Sequence, residues 1–165
     1  MMQKKICMLG GFAVGKTSLV RRYVHSLYSD KYHTTIGVKI EKKVVTFAND
    51  REVSLMLWDI YGEDELQKVR MSYLRGAAGY VLVVDSTRRA SLVVAQQLHA
   101  AVQAEIGQVP YVVALNKCDL TDERDVDLHA VAALGAGSVM TIHTSALTGQ
   151  GVNEAFERVA QALVA

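Results

Sequence analysis

Gly10-Gly11-Phe12-Ala13-Val14-Gly15-Lys16-Thr17 separates a short apolar run, Ile6-Cys7-Met8-Leu9, from a stretch beginning at Lys16. In that stretch Leu19, Val20, Tyr23, Val24 and Leu27 recur at helical spacing. The octet reads G-x-x-x-x-G-K-T in a strand–loop–helix setting, the context that gives this pattern its meaning. Glycine at both ends lets successive backbone N–H groups turn inward as an anion-binding nest, and the following helix adds its positive N-terminal end. Phe12, Ala13, Val14 and Gly15 therefore line a phosphate loop. Lys16 brings a charge for the terminal phosphates, and the Thr17 hydroxyl suits Mg²⁺.

Outward from this loop the apolar segments alternate in kind. Val38 to Phe47 and Val53 to Trp58 read as two strands of a hairpin turning at Ala48-Asn49-Asp50-Arg51. Glu41, Lys42 and Lys43 mark the first of them as a charged edge strand. Tyr80 to Val84, Tyr111 to Leu115 and Val139 to Ile142 read as further strands, interleaved with helices at Ser91 to Glu105, Asp125 to Leu134 and Val152 to Val164. The unbroken apolar run Tyr80-Val81-Leu82-Val83-Val84 suits a sheet covered on both faces. The pattern predicts a doubly wound α/β sandwich with one antiparallel edge hairpin, whose ligand binds where the strands end.

Three other segments stop on that rim. Asn116-Lys117-Cys118-Asp119 follows Tyr111–Leu115. The two oxygens of Asp119 match the adjacent N1–H and N2 donors of guanine, which adenine lacks, and the Lys117 stem is long enough to lie over a base. A site built on hydrogen bonds rejects an analogue without them by roughly 10⁴–10⁵. Trp58-Asp59-Ile60-Tyr61-Gly62 places an acid for Mg²⁺ and a glycine whose N–H can approach a phosphate. Thr35, between the first helix and second strand, is a second hydroxyl for the metal.

Composition excludes other classes. The chain has 165 residues, 50% hydrophobic and 21% charged, enough for one domain over residues 1–165 with its own core. Eighteen Lys and Arg against 17 Asp and Glu leave a net charge of +1, so bulk charge gives no reason to expect a nucleic-acid partner. Cys7 and Cys118 have no zinc spacing, the five histidines are scattered, and free thiols suit the cytoplasm. Met2 and the ending Leu163-Val164-Ala165 carry no lipidation signal, so any membrane recruitment is expected to run through partners.

With these four elements in order, the chain resembles the Ras-like small GTPases, and is most similar to their Rab branch through Thr35-Ile36-Gly37-Val38 and the stretch from Tyr73-Leu74-Arg75-Gly76-Ala77 to Val83-Val84-Asp85-Ser86-Thr87. The missing lipid signal fits either a shortened eukaryotic protein or a bacterial Rab-like one. The resemblance implies an α/β P-loop NTPase sandwich, with a six-stranded, mostly parallel sheet, one antiparallel edge hairpin and five helices. It implies a monomeric switch that cycles between GDP and GTP with Mg²⁺. Effectors would read Tyr28–Gly37 and Asp59–Ser72, and an exchange factor and an activating protein would set the timing. By matching position, Gly15, Lys16 and Thr17 hold phosphates and metal, Ser18 lies near the α-phosphate, and Tyr28 packs on guanine. Thr35 and Asp59 complete the Mg²⁺ set, Gly62 contacts the γ-phosphate, Ser145 supports Asp119, and the Ala146 N–H reads guanine O6. The catalytic set is then Lys16, Thr35, Gly62 and Glu63.

Four positions depart from that pattern. Glu63 stands where the water-orienting glutamine is usual; ionised, it accepts but cannot donate toward the phosphoryl group. Phe12 replaces a small residue near the γ-phosphate, in space an arginine finger would cross, and Tyr61 replaces alanine beside it. Alternatively, both rings simply pack on one another over a surface loop. Leu147 replaces the lysine of S-A-K and covers the base less specifically. The expected activity is slow GTP hydrolysis. The competing readings are a GTP-locked binding module and a small-molecule phosphotransferase, the latter lacking an arginine-rich lid.

Overall fold

The computed structural model describes residues 2–26, 37–60 and 71–165. Its strands are β1 (Met2–Leu9), β2 (Val38–Thr46), β3 (Glu52–Ile60), β4 (Gly79–Asp85), β5 (Tyr111–Asn116) and β6 (Met140–His143). They form one sheet in the order β2-β3-β1-β4-β5-β6, with only β2–β3 antiparallel. The helices are α1 (Lys16–His25), α2 (Arg89–Ile106), α3 (Leu128–Leu134) and α4 (Val152–Val164).

Strand periodicity divides the core. Ile6, Met8, Val81 and Val83 point to one face, against Leu19, Val20 and Tyr23 of α1 and Phe156 and Val159 of α4. Cys7, Leu9, Leu82 and Val84 point to the other, against Leu92, Ala95 and Leu98 of α2 and Val131 and Leu134 of α3. Tyr23 stacks on Phe156 with centroids 4.3 Å apart, joining α1 to α4. Because β1 is central and the chain turns from it first toward β3 and later toward β4, the Gly10–Gly15 loop emerges where the winding direction reverses, the position such sheets reserve for ligands.

Two expectations need correction. The helix count is four among the described residues, not five; between β3 and β4 the described chain forms a 3₁₀ turn, Met71–Leu74, closed by Ala77 N–H donating to the Leu74 carbonyl. The third helix starts at Leu128, not Asp125. Asp127 caps it by accepting from the His129 N–H at 2.9 Å, while the Asp125 N–H is already committed to the Ser86 carbonyl at 2.8 Å. β1 also runs longer than its apolar core, since Met2–Met8 pairs in register with Val53–Asp59.

Candidate functional site

The loop Gly10–Gly15 has φ of 60° at Ala13 and 104° at Gly15, which turns the chain sharply before α1 begins. A Cβ at Gly15 would run into the Asn116 side-chain amide, so glycine is required there for space as well as conformation. Every carbonyl of this loop is engaged. Lys16 Nζ donates to the Gly10 carbonyl at 3.0 Å and to that of Gly11 at 2.8 Å. Arg88 Nη1 donates to the Phe12 carbonyl at 3.0 Å, Lys117 Nζ to that of Ala13 at 3.2 Å, and Asn116 Nδ2 to that of Val14 at 2.9 Å. The Gly15 carbonyl accepts from Leu19 N–H in the first turn of α1. A peptide group is planar and trans, so the Phe12, Ala13 and Val14 carbonyls, held by Arg88, Lys117 and Asn116, turn the N–H groups of the same peptides the opposite way. The result is an anion nest at a helix N-terminus.

Lys16 is 7% exposed, and burial pushes its ammonium down to about 8 while the Asp59 carboxylate pulls it back up. Thr17 Oγ1 donates to Asp59 Oδ2 at 2.6 Å, so α1 and the end of β3 bring two oxygen donors together beside the loop. Such hard oxygen donors fit Mg²⁺. Among the described residues no group of three or more His, Cys, Asp or Glu side chains is placed to hold a metal ion. Ser18 is half-buried in the same first turn, and Phe12 is 37% exposed at the lip.

At the end of β5, Asn116 is 2% exposed and links two loops, since its Oδ1 accepts from Thr144 Oγ1 at 3.0 Å. Lys117 adopts φ 62° and pairs with Asp85 Oδ2 at 2.8 Å besides reaching Ala13. Asp85, fully buried, also accepts at Oδ1 from Thr87 N–H and Oγ1, at 2.9 and 2.6 Å. Asp119 Oδ1 accepts from Ser145 Oγ at 2.7 Å, and that hydroxyl in turn accepts from the Thr148 N–H. Ala146 is buried beside them and Leu147 is 47% exposed. Arg22 of α1 donates to the Thr148 carbonyl at 3.3 Å, bracing the same loop.

The structure thus brings Phe12, Ala13, Val14, Gly15, Lys16, Thr17, Ser18, Asp59, Asn116, Lys117, Asp119, Ser145, Ala146 and Leu147 to one rim. Tyr28, Thr35, Tyr61, Gly62 and Glu63 lie outside the described residues. Sequence reading passed over Thr144, Asp85, Arg88 and Arg22; the spacing of Asp85 and Thr87, an acid accepting from the backbone two residues on, was the one available signal.

Comparison with known proteins agrees with this geometry. The family model described as the Ras family matches residues 5–165. The chain belongs to the Ras family of small GTPases. It is 34% identical over 154 residues to the Ras-related protein Rab-4 of Dictyostelium discoideum, covering 92% of this chain and 75% of that one. To the Ras-related protein Rab-4A of Danio rerio it is 32% identical, over 97% of this chain and 76% of the other. To Rab-3C of Mus musculus it is 30% identical, over 94% and 69%. Within the Ras family, these relatives place the likeness on the Rab side.

Proposed function

We propose that this chain is a guanine-nucleotide switch with slow, Mg²⁺-dependent GTP hydrolysis. The observation that carries the reading is Asn116, whose side chain joins the phosphate loop at Val14 to the base-reading side at Thr144. One ligand with a base at one end and phosphates at the other fits both. Asp119, held by Ser145, would accept the guanine N1–H and N2 protons, the Ala146 N–H would meet O6, and Tyr28 would be the residue to pack on the ring. The loop N–H groups and Lys16 receive the phosphates, and an anion there offsets what burial costs the ammonium. Thr17, Asp59 and Thr35 would hold Mg²⁺, which supplies charge neutralisation between the terminal phosphates. Gly62 N–H would contact the γ-phosphate, and Glu63 would place the water as an acceptor only, which would keep hydrolysis slow.

The output surface lies beside β2. Ile40 and Val44 are 45% and 41% exposed on that edge strand, and Trp58 meets Tyr73 at 6.4 Å between centroids. Effectors would read this apolar edge and the sequence segments Tyr28–Gly37 and Asp59–Ser72 in a nucleotide-dependent way. An exchange factor and an activating protein would act on the same segments. A second reading, a GTP-locked binding module, is favoured by Phe12, whose exposed ring at the lip stands in the path of an arginine finger.

Single-turnover phosphate release from GTP-loaded protein, with an ATP control, tests the proposal. Slow release with GTP alone, accelerated in Glu63→Gln, is expected. Tight GTP retention without release over hours selects the locked module, and equal use of ATP overturns the role given to Asp119.

A further inference from the structure

We propose that Arg88 is a positioning residue for the phosphate loop: by holding the Phe12 carbonyl outward it aims the Ala13 N–H at the terminal phosphates. The inference rests on the reading that this loop holds a nucleotide. Phe12 C=O and Ala13 N–H belong to one planar trans peptide, so fixing one direction fixes the other. Ala13 has φ of 60°, a conformation that an alanine keeps only when its surroundings impose it. Arg88 Nη1 supplies that constraint at 3.0 Å, across 76 residues of chain. The guanidinium is itself drawn in by Asp85 Oδ2 at 3.9 Å, the same buried oxygen that pairs with Lys117 at 2.8 Å. One carboxylate thereby aims two cations at two consecutive carbonyls, Phe12 and Ala13. Were Lys16 to turn from Gly10 and Gly11 to a phosphate, Arg88 on Phe12 would remain beside Lys117 on Ala13 and Asn116 on Val14. The neighbouring Arg89 faces elsewhere, forming a two-point pair with Asp125 at 2.7 and 3.2 Å, and serves as the control.

The experiment measures release of fluorescent GDP, competition by GMP, and melting temperature for wild type, Arg88→Ala, Arg88→Lys and Arg89→Ala. Loss of one solvent-accessible, charge-assisted hydrogen bond predicts about five- to tenfold faster GDP release in Arg88→Ala. GMP lacks the terminal phosphate that Ala13 serves, so its affinity stays within about twofold, and melting stays near wild type. Arg88→Lys recovers part of the loss and Arg89→Ala shows none. The proposal is overturned if Arg88→Ala releases GDP at the wild-type rate, or if GDP and GMP weaken by one factor. Should Arg88→Ala not fold, Arg88→Gln, with a neutral donor on a similar stem, is read by the same criteria. A wild-type chain that does not bind GDP would instead sink the nucleotide reading itself.

Discussion

Replacing Asn116 by alanine removes the side chain that both nucleotide loops share, and its cost can be worked from the geometry. Two hydrogen bonds disappear, to the Val14 carbonyl at 2.9 Å and from Thr144 Oγ1 at 3.0 Å. Asn116 and Thr144 are 2% and 0% exposed, so water does not readily take their place. A buried polar group left unpaired costs about 1–3 kcal/mol; the hydroxyl of Thr144 can rotate to seek another acceptor, so the total is about 2–4 kcal/mol. For a domain of this size each kcal/mol moves the melting temperature by about 2–4 °C, giving a loss of roughly 5–15 °C. The melt is run in EDTA without added nucleotide, so that ligand linkage does not enter. Thr144→Val strands only Asn116 Oδ1 and should cost about half as much. The double variant strands only Val14 and should fall short of the summed singles by about 2 kcal/mol. A melting point for Asn116→Ala within about 2 °C of wild type, or strictly additive singles, would refute the account of Asn116 as the crosslink.

Gly15→Ala should abolish nucleotide binding, because its Cβ would displace the Asn116 amide at a φ of 104°; equilibrium dialysis with GDP reads this directly. Asp119→Asn exchanges an acceptor for a donor facing guanine, and should weaken GDP by at least 10²-fold while admitting xanthosine diphosphate, measured by competition. Burial pushes the Cys7 thiol up to about 12, against a smaller opposite pull from Lys5, so at pH 8 iodoacetamide should label it only after unfolding. The unfolded thiol loses its proton near 9.0 and the folded one keeps it to about 12, so between those values Cys7 makes stability fall as pH rises. Cys7→Ala should flatten that part of a urea-denaturation profile against pH.

The sheet and its rim were legible because they rest on local patterns. Continuous apolar strands, a charged edge at Glu41–Lys43 and a glycine-bounded loop each announce themselves within a few residues. So did Ser145 as a support for Asp119, through the likeness to a known motif. Contacts between a side chain and a distant backbone carbonyl leave no such trace. Arg88 reaches Phe12, Asn116 reaches Val14 and Lys117 reaches Ala13 over separations of 76, 102 and 104 residues. Their acceptors are carbonyls, which every residue type carries, so the sequence holds only half of each pair. The start of α3 is illegible for a related reason: Asp125 and Asp127 are equally good caps in isolation, and distant partners decide between them, Arg89 holding the Asp125 carboxylate and the Ser86 carbonyl its N–H.

The bracing of the base-reading loop from α1 shapes how a bound molecule leaves. Arg22 lies so close to Gly149 that a Cβ there would come within 2.7 Å of its Nη2, while α1 is clamped to α4 by the Tyr23–Phe156 stack. Both ends of the site are thus anchored to the same helix and to Asn116, so opening one end strains the contacts of the other. For a nucleotide held across this site, the coupling predicts concerted release rather than peeling from one end, with no accumulation of half-released species. A partner that hastens release then gains little by prying at the base alone. It does better to strain α1, where one push is felt at both ends of the cleft.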